Sequence, residues 1–437
     1  MAVWVVKTEE QTVDGVKTDG SFTPNAETTM FNPYLPQETL DYIVDLLHDE
    51  RETLKECCLV SKSWIPRARK HLFAGIKFGS VDNLESWKKT FPNPPDSPAY
   101  HTLTLTIGCT QAVTTEDAEP GGWIPTFSRV VRLELSISRI DPINPSGMEA
   151  ILAPYHKFSP ALKSLRIESK FLSYPPIFNL VRSFPFLEDL ALIGCHPWWE
   201  GNDSNLHQQQ NVDPSASGPA FIGSLELLLG GLRNVARRLL DLPNGFHFRK
   251  LVLLWIGVED LWWIMKLVER CSDTLECIDV MRYQLGALVL VPRWSHNLPS
   301  STGDSSPTSI DLSKATKLRD VAFRPEPPTV TWIITTLQTI ASKHRDLQQI
   351  LIYLPSYFAS IDIGASIGEI NGEVIYREWL DLDRLLIQLW ESRSVRPKLT
   401  LAAPMGDREQ VNIQYCIECL LPELTRRGVI VLAQLDW

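Results

Sequence analysis

The sequence predicts an α/β repeat fold, in which a parallel sheet is covered by outer helices and is preceded by a small helical unit. One spacing of apolar residues recurs along most of the chain: an apolar residue, two others, an apolar residue, one other, and an apolar residue. Segments with helical periodicity lie between the copies. At 437 residues the chain exceeds one average domain of about 150 residues, and a repeat array accounts for that length.

Composition excludes some classes of function. The formal net charge of -10 argues against nucleic-acid binding, because a grip on phosphates requires clustered Lys and Arg. We find neither a secretion signal nor an apolar run of about 18 residues, so we expect no membrane partner and a cytoplasmic or nuclear location. The 8 cysteines are expected to be thiols, since a reducing compartment does not maintain disulfides.

Residues 1–32 are polar and turn-rich, and this composition predicts a disordered tail.

The pattern of residues 33–73 predicts three short helices. The first has one apolar stripe at helical spacing, made by Leu40, Ile43, Val44 and Leu47. Leu54, Cys57 and Cys58 share a side of the second, and Ser61 or Ser63 is the expected N-cap of the third, close to Pro66. A unit of about forty residues rarely builds a sufficient core, so it is expected to use a partner's surface.

The order of residues in this unit carries a resemblance to a known family. The matching positions are Leu35-Pro36, Glu38, Ile43, Leu46-Leu47, Leu54, Leu59-Val60, Trp64 and His71-Leu72-Phe73. In this order they resemble an F-box, the motif that binds the Skp-type adaptor of cullin-RING ubiquitin ligases. The resemblance implies these adaptor-binding residues: Leu35, Pro36, Glu38, Ile43, Leu46, Leu47, Leu59, Val60 and Trp64. The alternative is a plain three-helix cap on the following domain.

Residues 74–437 form the predicted repeat domain. The recurring pattern has these copies: Val130/Leu133/Leu135, Leu162/Leu165/Ile167, Leu187/Leu190/Leu192, Ile222/Leu225/Leu227, Phe248/Leu251/Leu253, Leu275/Ile278/Val280, Leu318/Val321/Phe323 and Leu347/Ile350/Ile352. Further strands are expected at Ile76–Phe78, Thr102–Ile107, Leu399–Leu401 and Val429–Leu432. Helices are expected at Val81–Phe91, Met148–Lys157, Ile177–Ser183, Val258–Cys271, Val330–His344, Tyr376–Ser392 and Asn412–Arg427.

The shortest steps between copies fall within the roughly 20 to 29 residues of a leucine-rich repeat. Polar inserts near 200–219 and 293–313 lengthen two of the others. The third copy continues to Cys195, which is the residue type that leucine-rich repeats use at the turn, so the domain resembles the irregular leucine-rich repeats that follow F-boxes. The resemblance implies a curved solenoid with its parallel sheet on the concave side.

Residues that alternate with the apolar positions should face away from the helices, and they give the expected target-binding surface. We expect a protein target to be bound by these residues: Arg132, Glu134, Arg166, Glu168, Asp189 and Lys250. Trp198 and Trp199 are added because tryptophan is favoured at binding hot spots. Trp262 and Trp263, by contrast, are expected to pack in the core, because the neighbouring helix positions are apolar.

Signals for catalysis are weak. Gly364–Gly368 matches the G-x-S-x-G spacing of a hydrolase around Ser366, but a turn at Asn371-Gly372 and a strand at 374–376 are expected where a helix is required. Cys416 and Cys419 are expected to be core residues of a helix, since zinc requires four ligands. No catalytic residue, metal or cofactor is expected.

Taken with the F-box and repeat resemblances, the chain is interpreted as a ligase adaptor that binds a Skp-type subunit, and through it a cullin. The alternatives are an interaction scaffold outside any ligase and, more remotely, a serine hydrolase.

Overall fold

A computed structural model describes residues 35–94, 97–137, 145–172, 174–197, 219–228, 232–242, 245–257, 260–282, 309–325, 330–340, 344–354, 372–403 and 410–434. The expected tail at 1–32 lies outside these residues, as do most residues of both expected inserts.

The described residues begin with three helices, α1 (Gln37–Leu46), α2 (Arg51–Val60) and α3 (Ile65–Leu72). Further along lie α4 (Val81–Thr90), α5 (Pro145–Leu152), α6 (Tyr174–Arg182), α7 (Leu232–Leu240), α8 (Leu261–Cys271), α9 (Thr331–Gln338), α10 (Gly372–Glu391), α11 (Gln410–Leu420) and α12 (Pro422–Arg426). Short 3-10 helices cover Pro98–His101, Thr110–Ala112, Glu116–Ala118, Ile124–Phe127 and Ala153–Lys157.

A 12-stranded sheet runs through the described residues, and its strand order is the order of the chain. Its strands are β1 (Gly75–Phe78), β2 (Thr104–Ile107), β3 (Arg132–Ile137), β4 (Ser164–Leu172), β5 (Asp189–Pro197), β6 (Ser224–Leu228), β7 (Lys250–Ile256), β8 (Cys277–Arg282), β9 (Asp320–Arg324), β10 (Gln349–Tyr353), β11 (Lys398–Ala403) and β12 (Ile430–Gln434). All neighbouring strands are parallel. The α/β solenoid-like architecture expected from the sequence is thus confirmed.

The recurring spacing produces this architecture because it places buried apolar residues both within each strand and just before it. Its second and third apolar residues alternate along a strand, so Leu133 and Leu135 both face the helices and are buried. Its first residue precedes the strand and is also buried, as with Val130. One such unit cannot cover its own apolar face, and stacking each copy on the next gives a continuous core.

The fourth copy of the recurring pattern differs from the prediction in its first buried residue. Ile222 was expected in the first buried position, but it is 42% exposed, and Phe221 is fully buried instead. Phe221 has a φ of 43°, in the left-handed region, and this turns the chain so that Ile222 points outward. The backbone N–H of Phe221 donates to Leu187 O at 2.9 Å, which keeps Phe221 in line with the neighbouring copy.

Four helical assignments also need correction. Residues 374–376, expected as a strand, belong to α10, and α7 was not expected at all. The helix expected at Asn412–Arg427 is broken between α11 and α12, because Pro422 cannot continue the hydrogen bonding of α11. Trp64, rather than Ser61 or Ser63, occupies the N-cap position of α3, and its side chain makes no capping hydrogen bond. Finally, Trp262 is 47% exposed, although it was expected in the core. Trp263 is partly buried and does pack against the core, as expected.

The described residues form two separate hydrophobic cores. The small core lies within α1–α3 and contains Val44, Leu54, Cys57 and Ala68. The large core extends from Ile76 to Leu424 through the whole sheet. Only Phe73 and Ala74 connect α3 to β1, and Ala74 O accepts the backbone N–H groups of Leu103 and Thr104 at 2.8 and 2.9 Å. The short hydrogen-bonded connection fixes the three-helix unit at the end of the sheet.

Candidate docking and target-binding surfaces

Five large apolar side chains are exposed in and beside α1 and α2, and we call this set the docking surface. Its members are Leu35 (52% exposed), Tyr42 (63%), Leu46 (63%), Leu59 (84%) and Val60 (67%). These five large side chains lie within one small unit whose own core has four buried residues. So many exposed large apolar side chains in a small unit are typical of protein interaction sites.

The structure places the expected adaptor-binding residues at different depths. Exposed are Leu35, Pro36, Glu38, Leu46, Leu59 and Val60. Ile43, Leu47 and Trp64 are half-buried. Of these, Leu47 and Trp64 pack against the small core. Sequence reasoning missed Tyr42, although its position four residues before Leu46 puts both side chains on one helix face.

An ion cluster fastens α1 to α3. Asp45 Oδ1 accepts a hydrogen bond from Arg67 Nε at 2.5 Å, and Asp45 Oδ2 accepts one from Arg67 Nη2. His71 Nε2 lies 2.7 Å from Asp45 Oδ1. The hydrogen bonds from Arg67 and then from His71 hold the pKa of Asp45 well below its ordinary value. Asp45 therefore holds α1, and with it the docking-surface residues of α1, in a fixed orientation against α3.

Asp45→Asn is expected to destabilise the three-helix unit by about 1 kcal/mol at neutral pH, a value discounted for solvent screening because the carboxylate is one-third exposed. Since the folded-state pKa is depressed, the contribution is complete above the unfolded pKa and is lost as the pH falls. The difference between wild type and variant should therefore begin to shrink below about pH 5 and should continue to shrink below pH 3, because the folded-state pKa lies well under that of the unfolded chain. Hydrogen exchange of α1 and α3 amides measures it. Asp49→Asn, at an exposed position on the same unit, is the control; a difference that does not vary with pH would contradict the assignment.

The second surface is the face of the sheet that points away from the helices, which we call the free face. Parallel registration aligns its residues in rows across β3, β4 and β5: one row contains Arg132, Ser164 and Asp189, and the next contains Glu134, Arg166 and Ala191. Lys250 continues the first row on β7. Arg132, Glu168 and Lys250 are exposed, while Glu134, Arg166 and Asp189 are half-buried. The six expected target-binding residues that the structure describes thus share one face.

Three of these six residues are engaged within the sheet. Glu134 Oε2 accepts the Thr106 hydroxyl at 3.0 Å. Asp189 Oδ1 accepts the Ser224 N–H at 2.5 Å and the Ser224 hydroxyl at 2.9 Å. It also lies so close to Gly223 that any side chain at that position would collide with it. Arg166 Nη1 reaches Glu226 Oε2 at 3.2 Å, which is possible because the intervening Ala191 is small. Glu168 is therefore a better probe of target binding than Asp189.

Apolar residues outside the expected target-binding set occupy one row of the free face. Ile193, Leu228 and Leu254 are in register on β5, β6 and β7, and Met281 lies on β8 beside a register shift between β7 and β8. Beyond them Arg324 stacks on Tyr353 at 3.9 Å and donates to Asp279 Oδ2 at 3.1 Å. The row therefore passes from apolar to cationic and aromatic, a mixture suited to a protein partner.

Several expected features lie outside the described residues. These are Trp198, Trp199 and Ser366. In the part of the chain that the structure describes, no group of three His, Cys, Asp or Glu side chains could hold a metal ion. Among the same residues, no helix has both the length and the apolar character needed to cross a membrane.

Comparison with protein-family models gives no match for this chain, and comparison with curated proteins gives none either.

Proposed function

We propose that the chain is a substrate-recognition adaptor of a Skp–cullin–F-box type ubiquitin ligase. The observation that carries the proposal is the docking surface, where Leu46, Leu59 and Val60 remain exposed on a unit too small to bury them. The positions of these residues in the chain resemble those of an F-box. In this proposal the docking surface binds a Skp-type subunit, which in turn binds a cullin.

The free face of the sheet is the proposed binding surface for a target protein. The short connection at Phe73–Ala74 then holds the bound target at a fixed position relative to the adaptor. The chain itself performs no chemistry in this scheme. Its contribution is proximity, because a tethered target meets the ligase at a high effective concentration. We place this activity in the cytoplasm or nucleus.

Direct binding between the purified chain and a purified Skp-type subunit tests the proposal. We expect a stable one-to-one complex by gel filtration and calorimetry. A chain that is folded and does not bind the subunit would instead favour the interaction scaffold that joins no ligase.

Target choice is expected to change with the exposed charges of the free face. Glu168→Lys combined with Lys250→Glu reverses two charges there, and each mismatched contact costs on the order of 1 kcal/mol or more. Quantitative mass spectrometry should show altered co-purifying proteins with an unchanged amount of Skp-type subunit. Lys317→Glu, at an exposed turn before β9, is the matched control. If all three preparations retain the same partners, target recognition lies elsewhere on the chain.

A further inference from the structure

A cleft of about 470 Å³ lies where the three-helix unit meets the first turn of the solenoid, and we call it the seam cleft. Gln37 and Asp41 of α1, Arg67 and Lys70 of α3, and His101 of the 3-10 helix Pro98–His101 line it. Its volume falls within the roughly 300 to 1,000 Å³ of small-molecule sites. None of these residues belongs to the docking surface.

Around the seam cleft the cations outnumber the carboxylates. Asp41 accepts a hydrogen bond from Gln37 at 2.7 Å and keeps its negative charge, and Arg67 is paired with Asp45. Lys70 has no such commitment: among the described residues, no carboxylate pairs with Lys70 or with its exposed neighbour Arg69. The same holds, within the described ranges, for the exposed Arg129. Of these cations only Lys70 lines the cleft, and the charges of Arg69 and Arg129 reach it through their effect on His101.

His101 is held within this field of positive charge. Its ring stacks on Tyr100 with centroids 3.9 Å apart. Burial, together with the charges of Arg129, Lys70 and Arg69, lowers its pKa, so it is neutral near neutral pH. Its Nδ1 is buried and unpaired, and a buried N–H without an acceptor is unfavourable. The proton therefore belongs on Nε2, which makes Nε2 a donor.

We propose that the seam cleft binds a phosphoryl group, as inorganic phosphate or as a phosphorylated side chain of a partner. A phosphoryl group brings a charge of about -1.5 to -2 and three acceptor oxygens, so Lys70 and His101, which both line the cleft, can donate to it while the nearby charge of Arg129 attracts it. A carboxylate brings a single charge and two oxygens, which leaves the cations incompletely neutralised. The site does not depend on ligase membership, because none of its residues belongs to the docking surface or to the free face.

Histidine NMR with ¹³C-labelled protein tests the proposal in phosphate and in chloride of equal ionic strength. Bound phosphate opposes the cationic field, so the pKa of His101 should rise by roughly half a unit or more in phosphate. His247, at an exposed position before β7, is the reference and should not respond. Lys70→Gln with Arg129→Gln, both at exposed positions, should abolish the rise. Equal responses of the two histidines, or a rise that survives in the double variant, would overturn the proposal.

Three probes then separate the two sources of the phosphoryl group: inorganic phosphate, a short phosphoserine peptide and the same peptide with serine. Phosphopeptide binding about tenfold tighter than phosphate would identify a phosphorylated side chain as the ligand, since the peptide adds contacts beyond the phosphoryl group. Equal affinities would identify free phosphate. A serine peptide that binds as tightly as its phosphorylated twin would overturn the phosphoryl assignment.

Discussion

Leu46→Asp combined with Leu59→Asp is expected to abolish binding of the Skp-type subunit while the chain stays folded. The two side chains are 63% and 84% exposed, so neither contributes much to the three-helix core. In the proposed complex both are buried, and each anchor at the centre of an interface contributes at least ~2 kcal/mol. The double variant should therefore lose on the order of 10³-fold in affinity by calorimetry.

Val395→Asp is the matched control for this double variant. Val395 is 63% exposed, like Leu46, but lies between α10 and β11 at the far end of the solenoid. It should leave the affinity for the Skp-type subunit unchanged. A folded Leu46→Asp, Leu59→Asp protein that binds within about threefold of wild type would show that the docking surface is wrongly placed.

Phe248→Ala is expected to have the largest effect on stability. Phe248 is fully buried in the middle of the large core, and its ring lies 5.1 Å from that of Phe221 and 5.6 Å from that of Phe246. Truncating a buried phenylalanine leaves a cavity and costs about 3 to 5 kcal/mol of the free energy of unfolding. Urea denaturation followed by circular dichroism measures the loss.

The separation of the two cores gives this variant a second expected result. The small core of α1–α3 does not include Phe248, so binding of the Skp-type subunit should persist while target binding weakens. Phe186→Ala, at a position that is 62% exposed, is the control and should change the free energy of unfolding by less than about 0.5 kcal/mol. Similar losses for both variants would contradict the assigned packing.

The sheet was predictable from sequence because its signal is both local and repeated. Leu190 and Leu192 alternate within one strand, and the same spacing recurs at Leu225 and Leu227 on the next. Positions between copies were harder. Phe221 and Ile222 are both apolar, and only the left-handed backbone at Phe221 determines which of them is buried. Asn371-Gly372 has the composition of a turn, yet Gly372 begins α10, so the local preference did not determine the fold there.

The candidate surfaces could be predicted in part. Alternation along the strands placed Glu168 and Lys250 on the free face, because the side-chain period of a strand is two. Alternation does not reveal partners on other strands, which depend on registration. The pairing of Arg166 with Glu226, residues 60 positions apart, is therefore visible only in the folded chain. Likewise, helical spacing could not separate the exposed Leu46 from the half-buried Leu47, since the packing of α1 against α3 decides it.

The most direct test of the central claim is affinity purification of the full chain from cells, followed by quantitation of cullin. Cullin is expected to co-purify with wild type and with Val395→Asp. It is expected to be lost from the Leu46→Asp, Leu59→Asp variant, whose free face still retains its target proteins. Absence of cullin from the wild-type preparation, or equal cullin in all three, would contradict the claim that the docking surface joins this chain to a ligase.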